Sequence, residues 1–341
     1  MRKFNVAVVG ATGAVGEELF RVMEEVDFPV GELLPLASAK SAGTEIEFKG
    51  KNHKVVELTE TVFDEHEIDI AFFSAGGSVS EKYAKFAAAS GAVVIDNTSH
   101  FRMDADVPLV VPECNPQDIA QWKTRGIIAN PNCSTIQMVQ ILKPLDDAYG
   151  INRVDVSTYQ AASGAGKEGM EELVTQLQKF FEFKLDECEP KVFAHQLAFN
   201  VIPHIDVFLD NDYTKEEMKM VNETQKILHK NMEVSATCVR VPVLRSHSEA
   251  ITIHFDRDVD AAAAREVLRK APSIVVVDEP VAKKYPMPSI SSDTNETYVG
   301  RIRTDNYRKN VLHLWCSADQ IRVGAATNAV RIAQKWIEMQ E

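Results

Sequence analysis

A chain of 341 residues, 45% apolar and 26% charged, has the make-up of an ordinary soluble globular protein, long enough for two domains with separate cores. A net charge of -13, with no run rich in Lys and Arg, argues against nucleic-acid binding, which needs a basic face. Five cysteines, at 114, 133, 188, 238 and 316, form an odd set without a Cys-x-x-Cys pair, so neither a disulfide framework nor a metal site is expected, and the reducing cytoplasm is the expected compartment.

The first apolar run, Phe4–Val9, follows Met1-Arg2-Lys3 in the manner of a signal peptide, yet it is short and enters a glycine loop. No stretch approaches the roughly 18 apolar residues that span a bilayer, so no membrane partner is expected. The loop reads Gly10-Ala11-Thr12-Gly13-Ala14-Val15-Gly16 and opens into a helical pattern over 17–25. Strand, glycine turn and helix in that order are the setting of a dinucleotide fingerprint; alone, the same glycines make a tight turn in any α/β protein. Spaced Gly-x-x-Gly-x-x-Gly, the segment Gly10, Thr12, Gly13, Ala14, Val15 and Gly16 lets backbone approach a pyrophosphate at the helix N-terminus.

The next strand, 33–37, ends where a site for NAD usually carries an acidic residue for the ribose hydroxyls. Ser38, Lys40 and Ser41 stand there instead, two hydroxyls and an ammonium that suit a 2′-phosphate, so NADP is the expected cofactor. Buried-strand patterns at 69–74 and 92–96 enclose a helix-like 80–90, and short strands at 109–111 and 127–129 follow. This βαβ spacing predicts an α/β protein with an N-terminal parallel sheet of the Rossmann type.

That sheet delivers the chain to Asn130-Pro131-Asn132-Cys133-Ser134-Thr135, a loop-forming triplet followed by a cysteine and a helical run over 135–142. A thiol at a helix start feels the positive end of the dipole and unpaired N–H groups, which favour the thiolate and make Cys133 a candidate nucleophile. The alternative on local residues is a cysteine packed as a small hydrophobe.

Beyond 153 the elements lengthen and no longer alternate, which predicts a second, α+β domain with a mixed sheet. A strand at 153–160 ends in Gln160 and a small-residue loop with Ser163 and Gly164; the helix behind carries a stripe of Met170, Leu173, Val174, Leu177, Phe180 and Phe181 for a core or subunit interface. Thr214 and Glu217 have capping-box spacing, and Glu216 and Lys219 lie three apart on one helix face. Strand 236–243 runs on to His247, and seven residues would put Arg240 and His247 on opposite faces of an unbroken strand, so a shared site requires a bend near 244–247. Strands at 250–255, 274–277, 298–303 and 311–317 and a helix at 323–339 complete the chain. The expected division is a nucleotide domain of 1–132 with the helix 320–341 packed back on it, and a catalytic and dimerisation domain of 133–319.

A nicotinamide fingerprint, an activated cysteine and a histidine in another domain point to aldehyde or acyl chemistry. Gly10 to Gly16, Asp96-Asn97-Thr98-Ser99-His100-Phe101-Arg102, Pro131 to Thr135, Ser157-Thr158-Tyr159-Gln160, Glu216 to Lys219 and Arg240-Val241-Pro242-Val243-Leu244-Arg245-Ser246-His247-Ser248 together resemble the aspartate-semialdehyde dehydrogenase family, with its Gram-positive branch nearest in character, and the resemblance covers almost the whole chain. It implies NADPH-dependent conversion of L-aspartyl phosphate to L-aspartate semialdehyde and phosphate, in the synthesis of lysine, threonine and methionine, by a homodimer. By the same resemblance Cys133 is the nucleophile, Asn132 and Gln160 position the acyl group, and His247 is the acid/base group. Arg102 and Lys219 bind the phosphoryl group, Arg240 the α-carboxylate and Glu216 the ammonium. Ser163, Gly164 and Asn328 join the glycine loop, Ser38, Lys40 and Ser41 in contacting the cofactor. The neighbouring alternatives are an N-acetyl-glutamyl-phosphate reductase and a non-catalytic NADP-binding sensor of the same fold.

Overall fold

The computed structural model of the chain describes residues 2–340, which form two compact units, Met1–Asn132 with Ala325–Glu341 and Cys133–Gly324. In the first, β1 (Phe4–Val9), α1 (Ala14–Glu25), β2 (Val30–Ala37), the hairpin β3 (Glu45–Phe48) and β4 (Lys51–Lys54), β5 (Val56–Glu57), α2 (Val62–Glu65), β6 (Ile70–Phe73), α3 (Gly77–Ala89), β7 (Val93–Asp96) and β8 (Ile127–Ala129) follow in order. Six of the strands make one parallel sheet, β5-β2-β1-β6-β7-β8. Strand order reverses between β1 and β6, and the carboxyl ends of strands at such a switch point open the crevice where open α/β sheets bind ligands.

Packing explains the glycines of the first turn. Gly10 has φ +87°, and a Cβ there would lie 3.0 Å from the backbone of Ser74 and Ala75 at the end of β6. On Gly16 a Cβ would fall 2.2 Å from the Gly10 carbonyl oxygen, so the first turn of α1 lies directly on the loop. Helix α1 buries Leu19, Phe20, Val22 and Met23 against Val6, Val8 and Ile70 of the sheet. The final helix, α9 (Thr327–Glu338), adds Ala329, Val330, Ile332, Ala333 and Trp336 to the same core.

Residues 109–111 do not form the strand their sequence predicts; one parallel bridge, Leu109 to Ala129, is all that is made there. Pro108 and Pro112 bracket the run and cannot donate to a ladder. The Asn115 side chain takes the place of a neighbouring strand, accepting from Val111 N–H at 2.9 Å and donating to the Leu109 carbonyl at 2.8 Å.

The second unit runs α4 (Cys133–Tyr149), β9 (Ile151–Gln160), α5 (Gly166–Phe181), α6 (Lys215–Leu228), β10 (Glu233–Arg240), β11 (His247–Phe255), α7 (Ala261–Arg269), β12 (Ile274–Val276), α8 (Pro288–Ser291), β13 (Thr297–Thr304) and β14 (Val311–Ala318). Its sheet, β10-β9-β11-β14-β13-β12, is mixed: the outer pairs are parallel and the inner ones antiparallel. Helix α4 starts at Cys133, two residues earlier than the apolar pattern suggests, and buries Met138, Ile141, Leu142 and Leu145 against Ile251, Ile253 and Leu314. The predicted helix over 323–339 is two pieces, a wide π-helical turn over Arg322–Ala326 and then α9. Such turns collect at functional sites.

Helix α6 begins with the capping box that the sequence predicts: the Thr214 side chain accepts from Glu217 N–H, and the Glu217 carboxylate accepts from Thr214 N–H at 2.7 Å. The second Glu217 oxygen accepts from Cys238 N–H on β10 at 3.0 Å, so one buried carboxylate both caps the helix and ties it to the sheet. Glu217→Ala strands two buried backbone donors, and we expect it to lower unfolding stability in urea by about 3 kcal/mol.

Candidate functional site

In the first unit a cavity of about 490 Å³ opens at the carboxyl ends of β1 and β6, lined by Gly10, Thr12, Gly13, Ser38, Ser74 and Ala75 among others. Gly13 stands before α1 without any side-chain cap, so the first N–H groups of Ala14 and Val15 meet the approach to the cavity. These features, a cavity lined by a close-packed glycine loop and an uncapped helix start, fit a dinucleotide pyrophosphate. Lys40 and Ser41 follow β2, with Lys40 exposed.

The loop after β7 is fixed from within. Asp96 is buried and accepts from Ser80 at 2.7 Å and from Thr98 N–H and Oγ1 at 3.0 and 2.8 Å; burial raises its pKa, with these bonds working the other way. Arg102, also buried, spans from this loop to the end of β8, its Nε donating to the Asn130 carbonyl at 2.9 Å and Nη2 to the Asn97 carbonyl at 2.8 Å. Asn328 on α9 donates to Asn130 Oδ1 at 2.7 Å and to the Val110 carbonyl at 3.0 Å, while its own Oδ1 is buried with no partner among the described residues. Asn132, the last residue of this stretch, is buried.

In the second unit the site is built by strand alternation. Arg240 pairs with Gln160 across β10 and β9, and His247 opens β11 on the other side of β9. The bend that a shared site requires is thus a full strand change: residues 241–246 cross over β9, with Ser246 at φ +74°. Gln160 accepts from Thr158 Oγ1 at 3.0 Å and donates to Glu216 Oε1 at 3.2 Å. Glu216 Oε2 takes the Lys219 ammonium at 3.0 Å, and Asp206 takes it from the other side at 2.8 Å. Burial pulls the Lys219 pKa down, but the two carboxylates outweigh it and hold the ammonium charged above its ordinary range.

His247 is wholly buried, and burial followed by the Arg240 charge pushes its pKa well below the usual imidazole value. The ring is therefore neutral. Ala161 N–H donates to Nδ1 at 3.0 Å, so the single ring proton is on Nε2, the nitrogen that lies 3.4 Å from Gln160 Nε2. Arg240 donates to the Ala161 carbonyl at 2.6 Å and stands 5.8 Å from the Phe193 ring. Burial lowers its pKa, opposed by Glu216 and by Cys133, whose sulfur therefore shares its electrostatic surroundings. Arginine stays a cation under such shifts.

Cys133, Gln160, Glu216, Lys219, Arg240 and His247 are therefore one constellation in one unit. Ser163 and Gly164 belong to this unit as well: Ser163 accepts from Gln320, and a Cβ on Gly164 would lie 2.7 Å from Arg240 Nη1 and 3.2 Å from His247 Cε1. Sequence reasoning missed three contributors. Gly324 packs on Cys133, where a Cβ would come within 2.5 Å of Cys133 Cβ and 2.9 Å of its Cα. Asp206 completes the clamp on Lys219, and Ala161 acts through its backbone alone; neither has a sequence signature, whereas Thr158 is legible as the residue two before Gln160 on the same strand face.

The family signature described as "Semialdehyde dehydrogenase, NAD binding domain" matches residues 5–122, and that described as "Semialdehyde dehydrogenase, dimerisation domain" matches 142–323. The aspartate-semialdehyde dehydrogenase of Campylobacter jejuni is 75% identical over 338 residues, 99% of this chain and 98% of that one. Among solved structures, aspartate semialdehyde dehydrogenase II of Vibrio cholerae complexed with ASA superposes with a TM-score of 0.96 at 47% identity over 99% of both chains. The Candida albicans enzyme with NADP superposes with a TM-score of 0.75 at 25% identity, covering 99% of each. With both halves matched by the two signatures and with relatives aligned along nearly its full length, the chain belongs to the aspartate-semialdehyde dehydrogenase family.

Proposed function

We propose that the chain catalyses the reversible, NADPH-dependent reductive dephosphorylation of L-aspartyl-4-phosphate to L-aspartate-4-semialdehyde, a step toward lysine, threonine and methionine. The observation that carries this reading is the pair of opposite charges beside the proposed nucleophile, Arg240 for an α-carboxylate and Glu216 for an ammonium, both buried, with Gln160 bonded to Glu216 and paired with Arg240 on the neighbouring strand. A zwitterionic amino acid is the ligand such a pair complements, and an N-acylated one would leave Glu216 without a cation from the ligand. The Vibrio cholerae relative complexed with ASA supports the same substrate class.

Cys133, at the first residue of α4, attacks the acyl phosphate carbon through sulfur, the C–O bond to phosphate breaks, and a thioester is left on the enzyme. Arg102 and Lys219 take the phosphoryl oxygens, and Asn132 and Gln160 orient the acyl group. Bound nicotinamide supplies the hydride for the thioester carbon. His247 presents Nε2–H to the oxygen that turns negative, acting as a neutral donor; the Ala161 N–H on Nδ1 keeps that tautomer. The C–S bond then breaks, returning the sulfur and releasing the semialdehyde. Gly10, Thr12, Gly13, Ala14, Val15 and Gly16 hold the pyrophosphate, Ser38, Lys40 and Ser41 the 2′-phosphate, and Ser163, Gly164 and the buried Oδ1 of Asn328 the nicotinamide end. The relative with NADP supports that cofactor.

Assembly as a homodimer is part of the proposal. The unit matched by the dimerisation signature leaves Phe181 77%, Phe183 95%, Phe199 62% and Phe208 59% exposed, and the Phe180 and Phe199 rings meet at a tilt with centroids 4.5 Å apart. An apolar surface of that kind marks an interface. The stripe on α5 divides accordingly, Leu173 into the core and Phe180 and Phe181 outward.

The deciding assay is phosphate-dependent oxidation of L-aspartate semialdehyde, run with NADP and NAD in parallel. We expect turnover with NADP that falls at least about a thousandfold in Cys133→Ala; turnover only of N-acetylglutamate semialdehyde would transfer the chain to the neighbouring reductases. Lys40→Ala should raise KM for NADP about tenfold and leave KM for NAD unchanged, read from the same assay. His247→Asn should lower kcat by about a hundredfold or more, with the dissociation constant for NADPH, measured by fluorescence, within about twofold of the parent.

A further inference from the structure

Beneath the constellation lies a second row of side chains that the proposed chemistry does not use. Strand alternation places Thr158 below Gln160, Cys238 below Arg240 and Glu249 below His247, and the ladders pair Glu249 with Thr158 on one side and with Cys316 on the other. Helix α4 continues both rows, since Gln137 is one turn after Cys133 and shares its face.

Glu249 is a fully buried carboxyl with no cation beside it among the described residues. Its Oε2 accepts from Cys316 Sγ at 3.6 Å, and Gln137 Nε2 donates to the same sulfur at 3.8 Å. Two acceptors are left over around this thiol: Glu249 Oε1 and Gln137 Oε1 are both buried with no partner among the described residues. Both side chains meet at the Cys316 sulfur, and with the Gln137 amide nitrogen on that sulfur a proton on the carboxyl would give both oxygens a partner.

We propose that Glu249 is a positioning residue, a neutral carboxylic acid whose O–H donates to Gln137 Oε1 and so ties the helix that begins at Cys133 to the strand that begins at His247. This rests on the catalytic reading of Cys133 and His247 given above. The groups that face Glu249 agree with a neutral pocket. From β14 comes Cys316 and from β10, one strand further, Cys238, both with burial raising the thiol pKa; from β9 comes Thr158, from α4 Gln137, and along its own strand the neutral His247. The nearest cation on these rows is Arg240, one row up. Burial pushes the Glu249 carboxyl up to about 8, with the Cys316 and Gln137 side chains working the other way as donors to the ionised form, so the proton is held at neutral pH and lost in the mildly alkaline range. Ionisation then removes the contact to Gln137 and leaves an anion under His247.

The sign for stability follows. The folded pKa lies above the unfolded value, so the native chain holds this proton while the unfolded chain has lost it, and stability from this group is full below about pH 4 and declines as pH rises to about 8. Glu249→Gln keeps a donor for Gln137 and does not titrate. The test compares Glu249→Gln and Glu249→Ala with the parent by thermal unfolding from about pH 5 to about pH 9 and by kcat over the same range. We expect Glu249→Ala to lower kcat about tenfold with KM within about twofold, Glu249→Gln to restore most of that loss, and the alkaline fall of kcat to move up by about one pH unit or more in Glu249→Gln. The difference in Tm between Glu249→Gln and the parent should grow in favour of the variant as pH rises. A Tm difference that does not change with pH, or a Glu249→Gln enzyme as slow as Glu249→Ala, overturns the proposal. The unfolding experiment needs no turnover, so failure of the substrate assignment and failure of this inference remain distinguishable.

Discussion

One backbone residue, Ala161, holds the two functional side chains of opposite need. Its N–H donates to His247 and its carbonyl accepts from Arg240, so the imidazole is fixed as an acceptor at Nδ1 while the guanidinium is fixed as a donor a few ångströms away. A protonated His247 would set two N–H groups against each other and add a second cation beside Arg240 in a space closed to water. The geometry of β9, which ends at Gln160 just before Ala161, therefore determines the charge state of the site. Everything that fixes β9, from the parallel ladder with β10 to the antiparallel ladder with β11, serves that contact.

Electrostatic balance follows the same economy. The chain carries -13 overall, yet the proposed ligand is an anion that calls for cations in the site. Arg240 and Lys219 supply them; Glu216 and Asp206 both hold Lys219, while Arg240 is held by the Ala161 carbonyl: burial raises the Asp206 pKa, and Lys219 more than reverses it. Two cations matched by two carboxylates leave little net field from the site itself, so selection rests on placement of each charge against a ligand that bears both signs.

What the sequence makes legible is what depends on neighbours in the chain. Gly10 and Gly16 are readable because a strand, a turn and a helix within sixteen residues dictate where a Cβ cannot be. The Thr214–Glu217 cap is readable for the same reason, but its hold on Cys238 N–H is not, because that partner arrives from another strand. Arg240 and His247 look incompatible as one strand and fit together only once 241–246 carries the chain across β9. The short run at 109–111 reads as a strand by its apolar residues and fails by its flanking prolines, with Asn115 satisfying the backbone instead.

Gly324 has a consequence of another kind. The wall it makes lies against Cα and Cβ of Cys133, the proposed nucleophile, so that residue is enclosed from one side at its backbone. If Cys133 carries the acyl group as proposed, a single missing methyl is what leaves the backbone of that residue room on this side.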